Sequence, residues 1–251
     1  MRSYRMVVRV IQLALVLTVI VAGLGLAEMW REKNTGGVEG EKTGDTPAAG
    51  VQVPSTDTTD GEAEPTELTN TKIVCFGDSF TLGYPGPKED AWPAVLQTLL
   101  KVEVVNKGAT AQPSYKLLER FDSDVLPEQP GRVIILAGNG DALDNNNEGR
   151  PLADYQRDMT ALINKAEASH IKPILVLPLP YPGETATRLI GEYRAWLKTF
   201  AEEKKIMLLD FKGTLCGDGE QLLEKYAAPE NKSYPGKEGH AAVAAYAASV
   251  L

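Results

Sequence analysis

Residues 73–100 read IVCFGDSFTLGYPGPKEDAWPAVLQTLL. The stretch opens with an unbroken apolar run that stops at Gly77. Continuous apolar character, in place of alternation, marks a strand covered on both faces. Asp78 and Ser79 are turn and helix-capping residue types. From Trp92 onwards, apolar residues recur at helical spacing as far as Leu100. A buried strand, a tight turn and a helix therefore follow one another directly.

The same alternation runs on towards the C-terminus. The first strand is 72–76 (KIVCF), and a second short strand covers 102–105. A helix at 114–121 precedes a third strand at 132–137 (RVIILA), which ends in Gly138. Residues 152–168 form an amphipathic helix, with Leu152, Tyr155, Met159, Leu162 and Ala166 on one face. A fourth strand at 173–177, a helix at 187–203, a fifth strand at 206–211 and an Ala-rich closing helix at 237–251 complete the pattern. Strands and helices in this order predict a flavodoxin-like three-layer α/β/α domain over residues 71–251, with a five-stranded parallel sheet. Ligands of such sheets bind beyond the carboxyl ends of the strands. The loops after Phe76, Val105, Ala137, Pro178 and Phe211 are therefore the places to look for chemistry.

Ahead of this domain the composition changes twice. Arg2, Arg5 and Arg9 precede an uncharged stretch, 10–27, and charged residues resume at Glu28. At ~1.5 Å per residue the stretch nearly spans a ~30 Å hydrocarbon core. The arginines predict a cytoplasmic N-terminus, with everything after the span outside the cell. Residues 1–27 are thus read as a membrane anchor. The alternative is a secretory signal cleaved after Ala27, since Gly25 and Ala27 are small residues at peptidase spacing. Residues 28–70 are rich in Gly, Thr, Glu, Pro and Ala, and hold too little apolar surface to offset ordering entropy. They read as an acidic disordered linker.

The formal charge of −8 and the lack of a basic stripe argue against nucleic acid as a partner. The two cysteines, Cys75 and Cys216, have no metal-ligand spacing. Cys75 sits in an apolar run that favours a buried thiol, and a Cys75–Cys216 disulfide is the alternative. No cofactor or metal is implied.

The run around Gly77-Asp78-Ser79 resembles the first block of the SGNH/GDSL esterase and lipase family. The resemblance extends over the whole domain, with five strands in the right order. It implies that Ser79 is the nucleophile attacking an ester, and that Asp78 serves the turn. The family's second block supplies an oxyanion-hole glycine after the second strand. Here that loop reads VVNKGATAQ, residues 104–112. Gly108 fits its general look, and Ala111 aligns with the donor, whose contribution is a backbone N–H. The third block supplies an asparagine, here Asn139 in LAGNGDALD, residues 136–144. The oxyanion set so implied is Ser79, Gly108, Ala111 and Asn139. The bland readings are a turn glycine at Gly108 and an Asn-Gly turn at Asn139.

The last block departs from the family. The pattern Asp, two residues, then His-Pro appears here as Asn231-Lys232-Ser233-Tyr234-Pro235. The Asp position holds Asn231 and the His position Tyr234. A phenol with a pKa near ~10 is a poor base at neutral pH. The chain has two histidines. His170 precedes the fourth strand, at the amino end of the sheet. His240 and Asp141 are the candidate substitute bases, with Asp78 and Asp144 as further carboxylates on the correct side. Phe80, Tyr84 and Tyr181 suit a pocket wall or ordinary packing equally.

Two functions remain open at this point. One is a membrane-tethered extracellular serine esterase or acyltransferase, weakened or silenced at Asn231 and Tyr234. Its partner would be an ester-bearing small molecule, lipid or glycan. The other is a non-catalytic relative that binds an acylated envelope ligand or a partner protein.

Overall fold

The computed structural model describes residues 70–251. The expected membrane segment, 1–27, and all of the expected linker except Asn70 lie outside the described residues. Among the described residues, no helix is long and apolar enough to cross a membrane.

The chain enters at strand β1 (Ile73–Gly77), turns through the short helix α1 (Ser79–Leu82) and continues into α2 (Trp92–Leu100). Next come β2 (Val104–Gly108), α3 (Ser114–Asp124) and β3 (Arg132–Leu136). Two short helices, α4 (Asn139–Ala142) and α5 (Asp144–Asn147), lead to the long α6 (Leu152–Ala168). The rest is β4 (Lys172–Val176), α7 (Glu184–Lys204), β5 (Met207–Leu209), α8 (Lys212–Cys216) and α9 (Lys237–Val250). The five strands pair in the order β2-β1-β3-β4-β5, and every pairing is parallel.

Each strand divides its side chains between two layers, because successive residues point to opposite faces. Val74 and Phe76 of β1, Val133 and Ile135 of β3, and Leu175 of β4 pack against α3, α6 and α7. Ile73, Cys75, Ile134, Leu136, Ile174 and Val176 pack against α2, α8 and α9. Both faces are thus sealed by helices, which is why the strands read as apolar runs. Cys75 and Cys216 both lie buried in the second layer as free thiols.

The strand order fixes where a cleft can open. After β1 the chain crosses to β2 on one side, and after β2 it returns to β3 on the other. The loops leaving β1 and β3 therefore diverge at the carboxyl edge, the switch point at which α/β sheets bind ligands. Those loops carry Ser79 and Asn139.

Candidate active site

Asp78 shapes the first of these loops. Its carboxylate accepts the Phe80 amide at 2.9 Å and so caps α1, leaving Ser79 as the first helical residue. Gly83, at φ 105, ends the helix after a single turn. Burial raises the Asp78 carboxyl to about 7, against the pull of the Phe80 and Thr81 amides. Among the described residues, no side chain hydrogen-bonds the Ser79 hydroxyl.

The second loop brings Ala111 to the same edge. Its φ is +50, a left-handed conformation that works against an alanine by ~1 kcal/mol. The family's donor there is a glycine, which meets no such penalty. On the third loop, the Asn139 carboxamide is clamped to the backbone of Leu179. Nδ2 donates to the Leu179 carbonyl at 2.7 Å, and Oδ1 accepts the Leu179 amide at 2.8 Å. This pair fixes which end of the amide faces which way, and leaves the second Nδ2 hydrogen available.

Tyr234 arrives from the far end of the chain. An antiparallel bridge between Ala227 and Pro235 holds its segment. Its ring meets Tyr84 edge-on at 4.9 Å and Tyr181 at 6.0 Å. Burial first, then Tyr181 and the Asp78 charge, push its phenol above the ordinary value. It keeps its proton throughout the neutral range. Asn231 forms a small turn instead of reaching inwards: its Oδ1 accepts the Ser233 amide at 3.2 Å, and its carbonyl accepts the Tyr234 amide at 2.9 Å.

These segments enclose one cavity of about 300 Å³. Asp78, Ser79, Phe80, Ala111, Asn139, Asp144, Tyr181 and Tyr234 line it. Gln112, Lys116, Leu143 and Leu179 also line it, and nothing local in the sequence singled them out. Their positions just past the second, third and fourth strands are the only signal they carry.

Several residues proposed from sequence do not line the cavity: Gly108, Asp141, His240 and Asn231, and Tyr84 among the pocket-wall candidates. At Gly108, a Cβ would sit 2.1 Å from the Leu82 amide nitrogen and 2.5 Å from the Thr81 carbonyl carbon. Its role is to let the end of β2 press against α1. Asp141, considered as a substitute base, is fully buried among donors. It accepts the Ser114 hydroxyl at 2.6 Å, the Ser114 amide at 2.8 Å and Arg150 Nη1 at 2.9 Å. Those bonds occupy the lone pairs a base would need. His240, the other substitute, is a core residue. It is stacked on Phe80 at 5.1 Å, with Nδ1 facing the Trp92 amide at 3.4 Å. Burial lowers its pKa to about 4, so it stays neutral, and it does not border the cavity. His170, exposed just ahead of β4, lies at the amino edge as its position implied.

The family model described as the GDSL-like lipase/acylhydrolase family matches residues 75–242. The chain belongs to this family. A solved GDSL neighbour, a protein assigned to the lipolytic G-D-S-L family from Desulfitobacterium hafniense DCB-2, shares 47% identity at a TM-score of 0.68. That match covers 72% of this chain and all of the other. The psychrotrophic esterase EstA from a Pseudoalteromonas species shares the fold alone, at 19% identity and a TM-score of 0.61, over 72% of this chain and 97% of that one. Among curated relatives, the uncharacterized lipoprotein YqeF of Bacillus subtilis is 31% identical over 43% of this chain and 48% of that protein. The thioesterase 1/protease 1/lysophospholipase L1 of Escherichia coli K12 is 25% identical over 55% of this chain and 65% of that protein. This GDSL chain therefore spans about half the length of the first and just under two thirds of the second.

Proposed function

We propose that this chain is a serine-based ester hydrolase or acyltransferase domain of weak turnover, which holds an ester-bearing small molecule, lipid or glycan at Ser79. The observation carrying this reading is that Ser79, Ala111 and Asn139 border one cavity, with Tyr234 on its wall where the family pattern has histidine. In this scheme the Ser79 hydroxyl attacks the carbonyl carbon and gives its proton to solvent, and the C=O π pair moves onto the oxygen. Collapse expels the alcohol and leaves an acyl-Ser79, which water or an acceptor alcohol then cleaves. The developing oxyanion accepts the N–H groups of Ser79 and Ala111 and the free Nδ2 hydrogen of Asn139. A positioned base typically contributes ~10² to 10⁴ in rate. Oxyanion donors and binding alone retain ~10³ to 10⁴ over water. Turnover is therefore feeble but rests on a real nucleophile. A fluorophosphonate probe is expected to label the full chain slowly, and Ser79→Ala to lose the label. Labelling that survives Ser79→Ala would reject the nucleophile. Absence of labelling in the unmodified chain favours the second reading, a non-catalytic pocket for an acylated ligand or partner protein. The protonated Tyr234 phenol between Tyr84 and Tyr181 suits that reading equally well.

We also propose that residues 10–27 anchor the chain in a membrane with the folded domain outside the cell. Arg2, Arg5 and Arg9 ahead of the uncharged stretch support this orientation. The lipoprotein name of the B. subtilis relative is consistent with an envelope setting. Intact mass of the cell-derived protein is expected to include residues 1–27. A mature N-terminus at Glu28 would mean secretion after cleavage at Ala27.

A further inference from the structure

One side chain ties together the ends of β1 and β2. Arg120, on α3, donates from Nη2 to the Gly77 carbonyl and to the Lys107 carbonyl, each at 2.9 Å. Its Nε donates to Gln112 Oε1 at 2.9 Å, and its Nη1 to Asp124 at 2.6 Å. The guanidinium carbon lies 4.3 Å from the centre of the Phe76 ring. A single planar group therefore grips the residue before Asp78-Ser79, the residue before Gly108, and the residue after Ala111. Lysine has no such planar fork and cannot reproduce this.

Gln112 passes the constraint onward. While Oε1 accepts from Arg120, Nε2 donates to the Thr110 carbonyl at 2.9 Å and the Ala111 carbonyl at 3.4 Å. Thr110 and Ala111 are exposed, so core packing does not hold them. Among the described residues, the other polar side-chain contact to this turn is Lys116 Nζ to the Ala111 carbonyl, at a long 3.5 Å. The left-handed Ala111 is thus held mainly by Gln112, and Gln112 by Arg120.

We propose that Arg120 is a positioning residue. Acting through Gln112, it fixes the Ala111 N–H relative to Ser79, so that both face one oxyanion. The catalytic half of this inference rests on the Ser79 reading above. The mechanical half does not.

The test uses Arg120→Lys and Gln112→Ala in the full chain, with two readouts. Exchange of the Ala109 amide, which donates to the Gly77 carbonyl at 3.1 Å, is expected to speed up on the order of tenfold in both variants, while β3 and α6 keep their protection. Fluorophosphonate labelling of Ser79 is expected to slow roughly 10- to 100-fold, because a misplacement near 1 Å has that effect. The pH profile of labelling is expected to keep its shape, since no titrating group near Ser79 changes. Unaltered exchange of the Ala109 amide in both variants would overturn the inference. So would a loosened loop with Ser79 labelling at the original rate. If the unmodified chain takes no label, the nucleophile reading fails, and the exchange data still decide whether Arg120 holds Ala111. Gln112→Ala alters a part-exposed loop residue, so it serves where Arg120→Lys fails to fold.

Discussion

Changing Tyr234 to histidine together with Asn231 to aspartate is expected to raise ester turnover by about 10² to 10⁴-fold, the contribution of a positioned general base. Tyr234 borders the Ser79 cavity, and its phenol stays protonated because burial lifts its pKa further. An imidazole, whose ordinary pKa lies near ~6.5, can take the serine's proton. Asn231 already accepts a hydrogen bond from the Ser233 amide. A carboxylate accepts the same bond, so the turn survives while gaining a charge to stabilise the imidazolium. The sign of the pH dependence follows. In the double variant kcat/KM rises as pH climbs through the imidazole pKa and then levels off, whereas the unmodified chain has no such step there. Tyr234→His alone is expected to gain less, since asparagine does not stabilise the cation by charge. Hydrolysis of p-nitrophenyl acetate from pH 5 to 9 measures this. A folded double variant with no gain and no new inflection would show that the Tyr234 position does not address Ser79.

Arg150→Met is expected to destabilise the domain by about 3 to 5 kcal/mol at neutral pH, the usual result of removing one partner from a buried ionic group. Arg150 Nη1 contacts Asp141 at 2.9 Å and Asp158 at 2.7 Å. The two carboxylate side chains are only 0% and 4% exposed. The Ser114 hydroxyl bridges them, at 2.6 and 3.2 Å. Without the guanidinium, Asp141 keeps Ser114 but loses its counter-charge, and Asp158 keeps the Ser114 hydroxyl and the exposed Arg157. Burial already lifts the Asp141 carboxyl above its ordinary value, and the variant lifts it further. A raised carboxyl binds its proton more readily in the folded than in the unfolded chain. The deficit of the variant therefore narrows as pH falls. Urea unfolding at pH 7 and pH 5 reads both parts. A loss below about 1 kcal/mol, equal at both pH values, would mean the pair behaves like an exposed salt bridge.

The fold was legible because the strands are apolar runs and the helices keep their period. Helices expected at 92–100 and 152–168 have those bounds in the structure, as α2 and α6. The capping residues Asp78 and Ser79 signal the start of α1, whereas α4, α5 and α8 carry no such signal, since elements of four or five residues hold too few turns to show periodicity. At the site, Ser79, Ala111 and Asn139 came from the resemblance to the SGNH/GDSL family, and each stands within three residues of a strand end. Asp141 was harder. It stands two residues after Asn139 on α4, so the two side chains diverge by about 200° around the axis, one towards the cavity and the other into the core. The core place of His240 has a signal in helical spacing: with Val243, Ala244 and Ala247 it forms the buried stripe of α9. Asp158 likewise occupies the buried stripe of α6, beside Tyr155, Met159 and Leu162. A carboxylate in such a stripe calls for a cation, but no local rule identifies Arg150. The grip of Arg120 on two strand ends depends on side-chain reach across separate elements, which sequence spacing does not encode.

The point at which the chain joins the sheet has a practical side. Asn70 lies beside Gly131 and donates to the Gln129 carbonyl at 2.7 Å, at the edge where the strands begin. The cavity opens at the edge where they end. A resin, fusion partner or surface joined ahead of residue 70 would therefore grip the domain from behind, and its mouth would stay open to whatever is presented from the front.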